Sequence, residues 1–219
     1  MNIPYSELRN GKGRNGDGLF FQGAQFESKL IRWWTNDCPD MFWRWFSLGP
    51  FSHAELLVWD ATVEYPPDAF GLYKKYPNLS NVRLCSWGSV SGGPRKTPLH
   101  RLIRSYNQAG GKVFWAPLKG DSDSICISNQ TPSLSYREAI IARANAAWGS
   151  RYPSTRQWFR TALRNWFKEP DSDPEGFTCW EFVAYCLGLE KPASWYGFEL
   201  ANCGLFGEAK EIILDEEKE

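Results

Sequence analysis

The stretch EGFTCWEFVAYCLGLE, residues 175–190, holds two cysteines, Cys179 and Cys186. A thiol can act as a nucleophile, a metal ligand or a small apolar core group, and local grammar separates these two. Thr178 and Glu181 stand in the T-x-x-E spacing of a capping box. In that arrangement each side chain bonds the other residue's backbone N–H at the start of a helix. Phe177 before the cap and Phe182 after it suit a hydrophobic staple, and Gly188 suits a left-handed C-terminal cap. The predicted helix covers 179–187. Cys179 is then its first residue, facing free N–H groups and the positive end of the helix dipole, a setting that favours thiolate. Cys186 lies near the negative end and reads as a buried small hydrophobe.

A cysteine nucleophile needs a base, and the base needs a group to orient it. The chain has two histidines. His100 lies in TPLHRLIRSY beside Arg101 and Arg104 and reads as a solvated helix residue. His53 is the better base. It opens SHAELLV after a Gly49–Pro50 turn, and on that strand His53, Glu55 and Leu57 share one face. The stretch SHAELLVWDATVEYPP reads as a β-hairpin, 53–58 and 62–65, turning at Trp59–Asp60. A two-residue loop there sets Val58 opposite Ala61 and Glu64 opposite Glu55. Glu64 is then a diagonal neighbour of His53 at about 7–8 Å between backbones. Glu64 is the first choice to orient His53. Glu55 is the second, because bonding along its own strand is harder.

The elements that must position these groups follow from capping and periodicity. Residues 1–15 and 215–219 are expected to fray. GDGLFFQG gives a strand over 19–22. Residues 26–46 read as helical pieces broken at Pro39. TPLHRLIRSYNQAGG gives a helix with Thr97 as cap, Pro98 at the first helical position and Gly110 at the end. VFWAPLK, 113–119, is an apolar strand. Ser135 and Glu138 form a second capping box on a helix that closes at Gly149. A further helix is expected at 154–167 and a last strand in GEAKEIILD. Early strands followed by long helices indicate an α+β fold, a small antiparallel sheet packed against helices, in one domain spanning 1–219.

Bulk composition narrows the function classes. Lys plus Arg and Asp plus Glu are 25 each in 219 residues. That balance calls for neither nucleic acid nor an acidic membrane as partner. No stretch approaches the roughly 18 apolar residues of a membrane-spanning helix. The N-terminus lacks the apolar core of a secretory signal, so a cytoplasmic, reducing location is expected. The six cysteines then read as free thiols. With no C-x-x-C pair and two histidines, no metal or cofactor is expected. Five of the twelve tryptophans fall within residues 32–59. The Trp/Arg segment 32–46 suits either a packed lid or peripheral contact with a bilayer surface.

Three landmarks in order, GDGLFFQG, FSHAELLV with Glu64 eleven residues after His53, and GFTCWEFVAYCLGL, resemble the circularly permuted papain-like amidases of the YiiX/YaeF type. Those are relatives of NlpC-type peptidases and of lecithin:retinol acyltransferase. Tyr152, in WGSRYPSTRQWF, occupies the place of that family's tyrosine. Trp180, Ala54-Glu55 and Pro153 depart from its usual residues. The resemblance spans 16–205 and implies a permuted papain-like fold with Cys179, His53 and Glu64 as catalytic residues. It implies a cysteine-dependent amide hydrolase or peptidase working through a thioester. A peptide or other small acyl substrate fits. The alternatives are a lipid-directed acyltransferase or acyl hydrolase, and a non-catalytic structural or partner-binding member. The Cys179 N–H is the expected first oxyanion donor and Gln22 a candidate second.

Overall fold

A computed structural model describes residues 1–25, 29, 32, 50–61, 82–90, 92–119, 135–153, 176–195 and 197–215. Its strands are β1 (Asn2–Pro4), β2 (Gly18–Gln22), β3 (His53–Ala61), β4 (Val82–Val90), β5 (Gly93–Pro98), β6 (Lys112–Ala116) and β7 (Lys210–Ile213), and its first helix is the short α1 (Tyr5–Glu7). They form one seven-stranded sheet in the order β1-β7-β6-β2-β3-β4-β5. Every pairing is antiparallel except that of β1 with β7, which is parallel. The sheet is therefore mixed and larger than the small antiparallel one expected, and the α+β class holds.

Strand alternation builds two cores. Phe20, Leu56, Val58 and Trp87 point into one, where they meet helices α3 (Tyr136–Ala146) and α4 (Cys179–Leu187) through Ile140, Ala144, Phe182 and Val183. Leu19, Phe21, Leu57, Leu84 and Val113 point into the other, with Leu99 and Ile103 of α2 (Leu99–Gln108). Because both faces of β2 are covered, it reads as the continuous apolar run LFF rather than as an alternating one. Among the described residues no helix is long and apolar enough to cross a membrane.

The helix punctuation carries over from sequence to structure. Both capping boxes are formed, Ser135 with Glu138 and Thr178 with Glu181. Gly188 closes α4 at φ 72°, where a Cβ would also meet the Arg143 guanidinium at 2.9 Å. That guanidinium stays beside the helix end by donating to the Cys186 carbonyl at 2.8 Å. The start of α2 differs: Thr97 belongs to β5, and Pro98 is the cap, at φ −55° and ψ 122°. The strand runs straight into the helix because Pro98 combines a helix-like φ with an extended ψ. Strand β6 stops at Ala116, since Pro117 has no N–H to offer a ladder.

Two expectations are overturned. Residues 1–15 do not fray. Asn2–Pro4 pair with β7, Leu8 is fully buried, and Gly13 and Asn15 accept from the indole and backbone N–H of Trp59. Of 215–219, Asp215 accepts from the Ser6 backbone N–H at 2.9 Å, and the other four lie outside the described residues. The second is the turn at Trp59–Asp60. Strand β3 runs through to Ala61, and Val58 pairs with Cys85, not Ala61. Asp60 is held inside the ladder by an ion pair to Lys96 of β5 at 2.9 Å. The hairpin's second strand and Glu64, the Trp/Arg segment apart from Arg32, and the helix at 154–167 lie outside the described residues.

Asp17, one residue before β2, pins the sheet to α3. It accepts from the Trp115 indole at 2.9 Å, the backbone N–H groups of Leu118 and Arg14, and the Arg137 guanidinium at 2.8 Å. It is 1 % exposed. Removing one partner of a buried ion pair strands the other. Asp17→Ala is therefore expected to lower stability by about 3–5 kcal/mol, read by urea unfolding. A loss below about 1 kcal/mol, the size of an exposed pair, would contradict this role.

Candidate active site

The first turn of α4 is fixed from both sides. Thr178 donates its N–H to Glu181 Oε2 at 2.7 Å and its Oγ1 accepts the Glu181 N–H at 3.3 Å. The Phe177 and Phe182 rings stand edge to face at 6.5 Å, closing the staple. Upstream, the Phe177 carbonyl accepts from Ser89 Oγ of β4 at 2.6 Å, and its N–H donates to the Arg151 carbonyl at 3.1 Å. At Gly176 a Cβ would lie 2.0 Å from the Arg151 oxygen, so only glycine allows these two segments to run this close. The result is a rigid approach to Cys179.

Helix α4 packs across β3 and β4, which brings its first residue to the first residue of β3. There the Cys179 thiol comes near enough to the His53 ring to favour its protonated form by charge and by hydrogen bonding. The ring's Nε2 lies 2.7 Å from Glu55 Oε1. With Nε2 committed to the carboxylate, Nδ1 is the nitrogen left for sulfur. Three groups thus stand in series: thiol, imidazole, carboxylate. The site is nearly closed, with 6 % of Cys179 and 16 % of the His53 side chain exposed. The first N–H groups of a helix have no acceptor within it, so the start of α4 presents donors beside the sulfur.

Burial, the largest single influence, disfavours charge on the His53 ring, but the Cys179 sulfur and the Glu55 carboxylate together outweigh it by charge and hydrogen bonding. The ring's pKa stands well above 6.5. A raised folded value stabilises the fold fully below the unfolded value and loses that contribution as pH rises through the folded one. The stability advantage of wild type over His53→Asn should therefore be largest in acid and shrink as pH rises past the ring's own titration. Paired thermal melts against an NMR titration of His53 check this. An advantage that grew with pH would contradict the sign.

Of the residues expected from sequence, Cys179 and His53 come together, and Glu55, the second choice, holds the imidazole. The register argument for Glu64 fails with the turn it needed, and Glu64 itself lies outside the described residues. Gln22, the candidate second oxyanion donor, gives one of its two side-chain N–H groups to the Pro50 carbonyl at 3.2 Å. Cys186 is fully buried, and burial pushes its thiol pKa up. Tyr152 reaches the site beside the Arg151–Gly176 bridge. Burial raises its phenol, and the nearby Cys179 and Glu181 raise it further.

Two members were missed. Phe21 sets its ring 5.3 Å from the His53 ring and 5.0 Å from Tyr106 of α2. The Tyr106 phenol is raised by burial, lowered by His53 and raised by Glu55 and Cys179, which places it in the field of all three groups. The signal was present: Leu99, Ile103 and Tyr106 follow the i, i+4, i+7 spacing of one helix face, which marks the side of α2 that packs inward.

Compared with known proteins, the sequence matches no protein-family model and no curated protein.

Proposed function

We propose that this chain is a thiol hydrolase of the permuted papain-like kind. More particularly, we read it as a cysteine-dependent amidase or peptidase. The observation that carries the reading is the series Cys179–His53–Glu55, with the sulfur at a helix N-terminus and the imidazole held between thiol and carboxylate. Thiol, base and orienting group in hydrogen-bond sequence are what acyl transfer through a covalent intermediate requires. The order of the segments, base strand early and nucleophile helix late, fits the permuted arrangement.

The Cys179 thiolate attacks the carbonyl carbon, and the N–H groups at the start of α4 take up the negative charge on oxygen. The tetrahedral intermediate collapses as the C–N bond breaks, and His53 gives its proton to the leaving amine. The thioester remains on Cys179. His53 then takes a proton from water, which attacks the thioester. The C–S bond breaks, the acid departs, and the proton on His53 restores the starting pair. Glu55 keeps the ring's Nε2 engaged throughout and so holds Nδ1 toward sulfur and substrate.

The test is intact-mass detection of an acyl-enzyme. The full chain is offered fluorogenic peptide amides and, separately, acyl esters of short and long chain. Expected is a hydroxylamine-sensitive acyl adduct on Cys179 with peptide-like donors. An adduct formed with long-chain esters alone would move the reading to the lipid-directed class. No adduct from any donor, with iodoacetamide alkylating Cys179 no faster at neutral pH than an ordinary exposed thiol, would leave the protein without a catalytic role for this site.

A further inference from the structure

The Glu55 carboxylate must fold back toward His53, two residues earlier on its own strand, and successive same-face residues are about 6.6 Å apart. Bending back requires room over the neighbouring strand. Gly88 of β4 follows Trp87, which pairs with Leu56, so it stands across from Glu55. A Cβ at residue 88 would lie 2.3 Å from Glu55 Cγ, 2.6 Å from Cδ and 2.8 Å from Oε1. All three are far inside contact distance. Glu55 is 5 % exposed, so its side chain has little open space to retreat into.

The geometry points to Gly88 as a positioning residue: its missing side chain is the bed in which the Glu55 carboxylate lies, and any larger residue there uncouples Glu55 from His53. Gly88 itself touches no reacting atom and acts only through Glu55. The demand is not one of backbone conformation, because Gly88 is not among the glycines of positive φ. It is a demand for space, made by one carboxylate. The groups around the ring are the Cys179 thiol from α4, Glu55 from β3 and the Tyr106 phenol from α2. Of these, Glu55 alone is displaced by a methyl group at 88.

This inference rests on the hydrolase reading for its meaning, but its test needs no substrate. The His53 ring titration is followed by NMR in the wild type, Gly88→Ala, Glu55→Gln and the double variant G88A/E55Q. Expected is a titration in Gly88→Ala moved to lower pH, as far as in Glu55→Gln, with no further move in the double variant. Alkylation of Cys179 by iodoacetamide at neutral pH should slow about tenfold or more in each, the scale at which an orienting carboxylate matters. A second arm covers impaired folding. If Gly88→Ala melts early because its methyl meets Glu55, then G88A should cost no Tm when added to E55A, where the colliding atoms are gone. The alkylation rate should stay low in E55A/G88A. A wild-type ring titration in Gly88→Ala, or an E55A/G88A variant that melts well below E55A, would overturn the assignment. Should no acyl-enzyme ever form, the hydrolase reading falls while these shifts still report on Gly88. Should acyl-enzyme form with the shifts absent, Gly88 falls and the hydrolase reading stands.

Discussion

Cys179→Ala will form no acyl-enzyme and lose turnover to background, while Cys186→Ala will keep both and lose only packing. The two thiols lie on one helix, yet their surroundings differ in every respect that matters. Cys179 is the first residue of α4, beside the His53 ring and at the end of the helix where N–H groups have no acceptor within it. Cys186 is sealed in the core, where burial raises its thiol. Removing a covalent nucleophile leaves the reaction without its intermediate, and losses on the order of 10⁶-fold attend such changes. Removing the Cys186 sulfur deletes one buried atom and should cost about 1 kcal/mol. Intact-mass trapping of the acyl adduct and a urea melt on the same two variants separate these effects. Equal acylation of Cys179→Ala and wild type would end the assignment.

Glu55→Gln should lower kcat/KM by about 10²–10⁴-fold, the range set by loss of a carboxylate that fixes an imidazole tautomer. Glu64→Gln should stay within about threefold of wild type. The expectation for Glu55 follows from its position. Glu55 Oε1 lies 2.7 Å from His53 Nε2 and is nearly buried, so it both orients the ring and favours its charged form. In Glu55→Gln the ring loses that support, and its titration should move to lower pH. The reverse ranking, with Glu64→Gln inactive and Glu55→Gln normal, would restore the hairpin partner and remove Glu55 from the site.

What was legible in the sequence was local. The Thr178–Glu181 and Ser135–Glu138 boxes are each complete within four residues, so their helices and the place of Cys179 could be read directly. So could the shared face of His53, Glu55 and Leu57, since alternation needs one strand only. The error lay across strands. Strand β4, VRLCSWGSV, has serine and glycine where a clean alternation would have apolar residues. Strand β5, GPRKTP, begins with Gly-Pro and ends in proline, so it reads as a loop. An edge strand tolerates such residues because one side of its backbone has no ladder to complete. Missing β4 made the nearest downstream run seem the partner of β3 and supplied a false turn at Trp59–Asp60. It also hid Gly88, and with it the space that lets Glu55 turn back to His53. The misplaced register and the misplaced carboxylate are thus one mistake. The N-terminal strand β1 was hidden for another reason: three residues ending in proline carry too little pattern to be seen without the β7 strand they join.

The separation of His53 and Cys179 along the chain has a consequence for biosynthesis. Domains fold as units while translation proceeds from the N-terminus. The strand bearing the imidazole leaves the ribosome long before the helix bearing the sulfur. Until α4 has emerged and docked on β3 and β4, no nascent chain holds the Cys179 thiol beside the His53 ring. On the proposed reading, the pairing of nucleophile and base therefore waits for that docking. Fragments that end before α4 lack it, and a thiol-reactive probe that depends on the His53 contact passes them over.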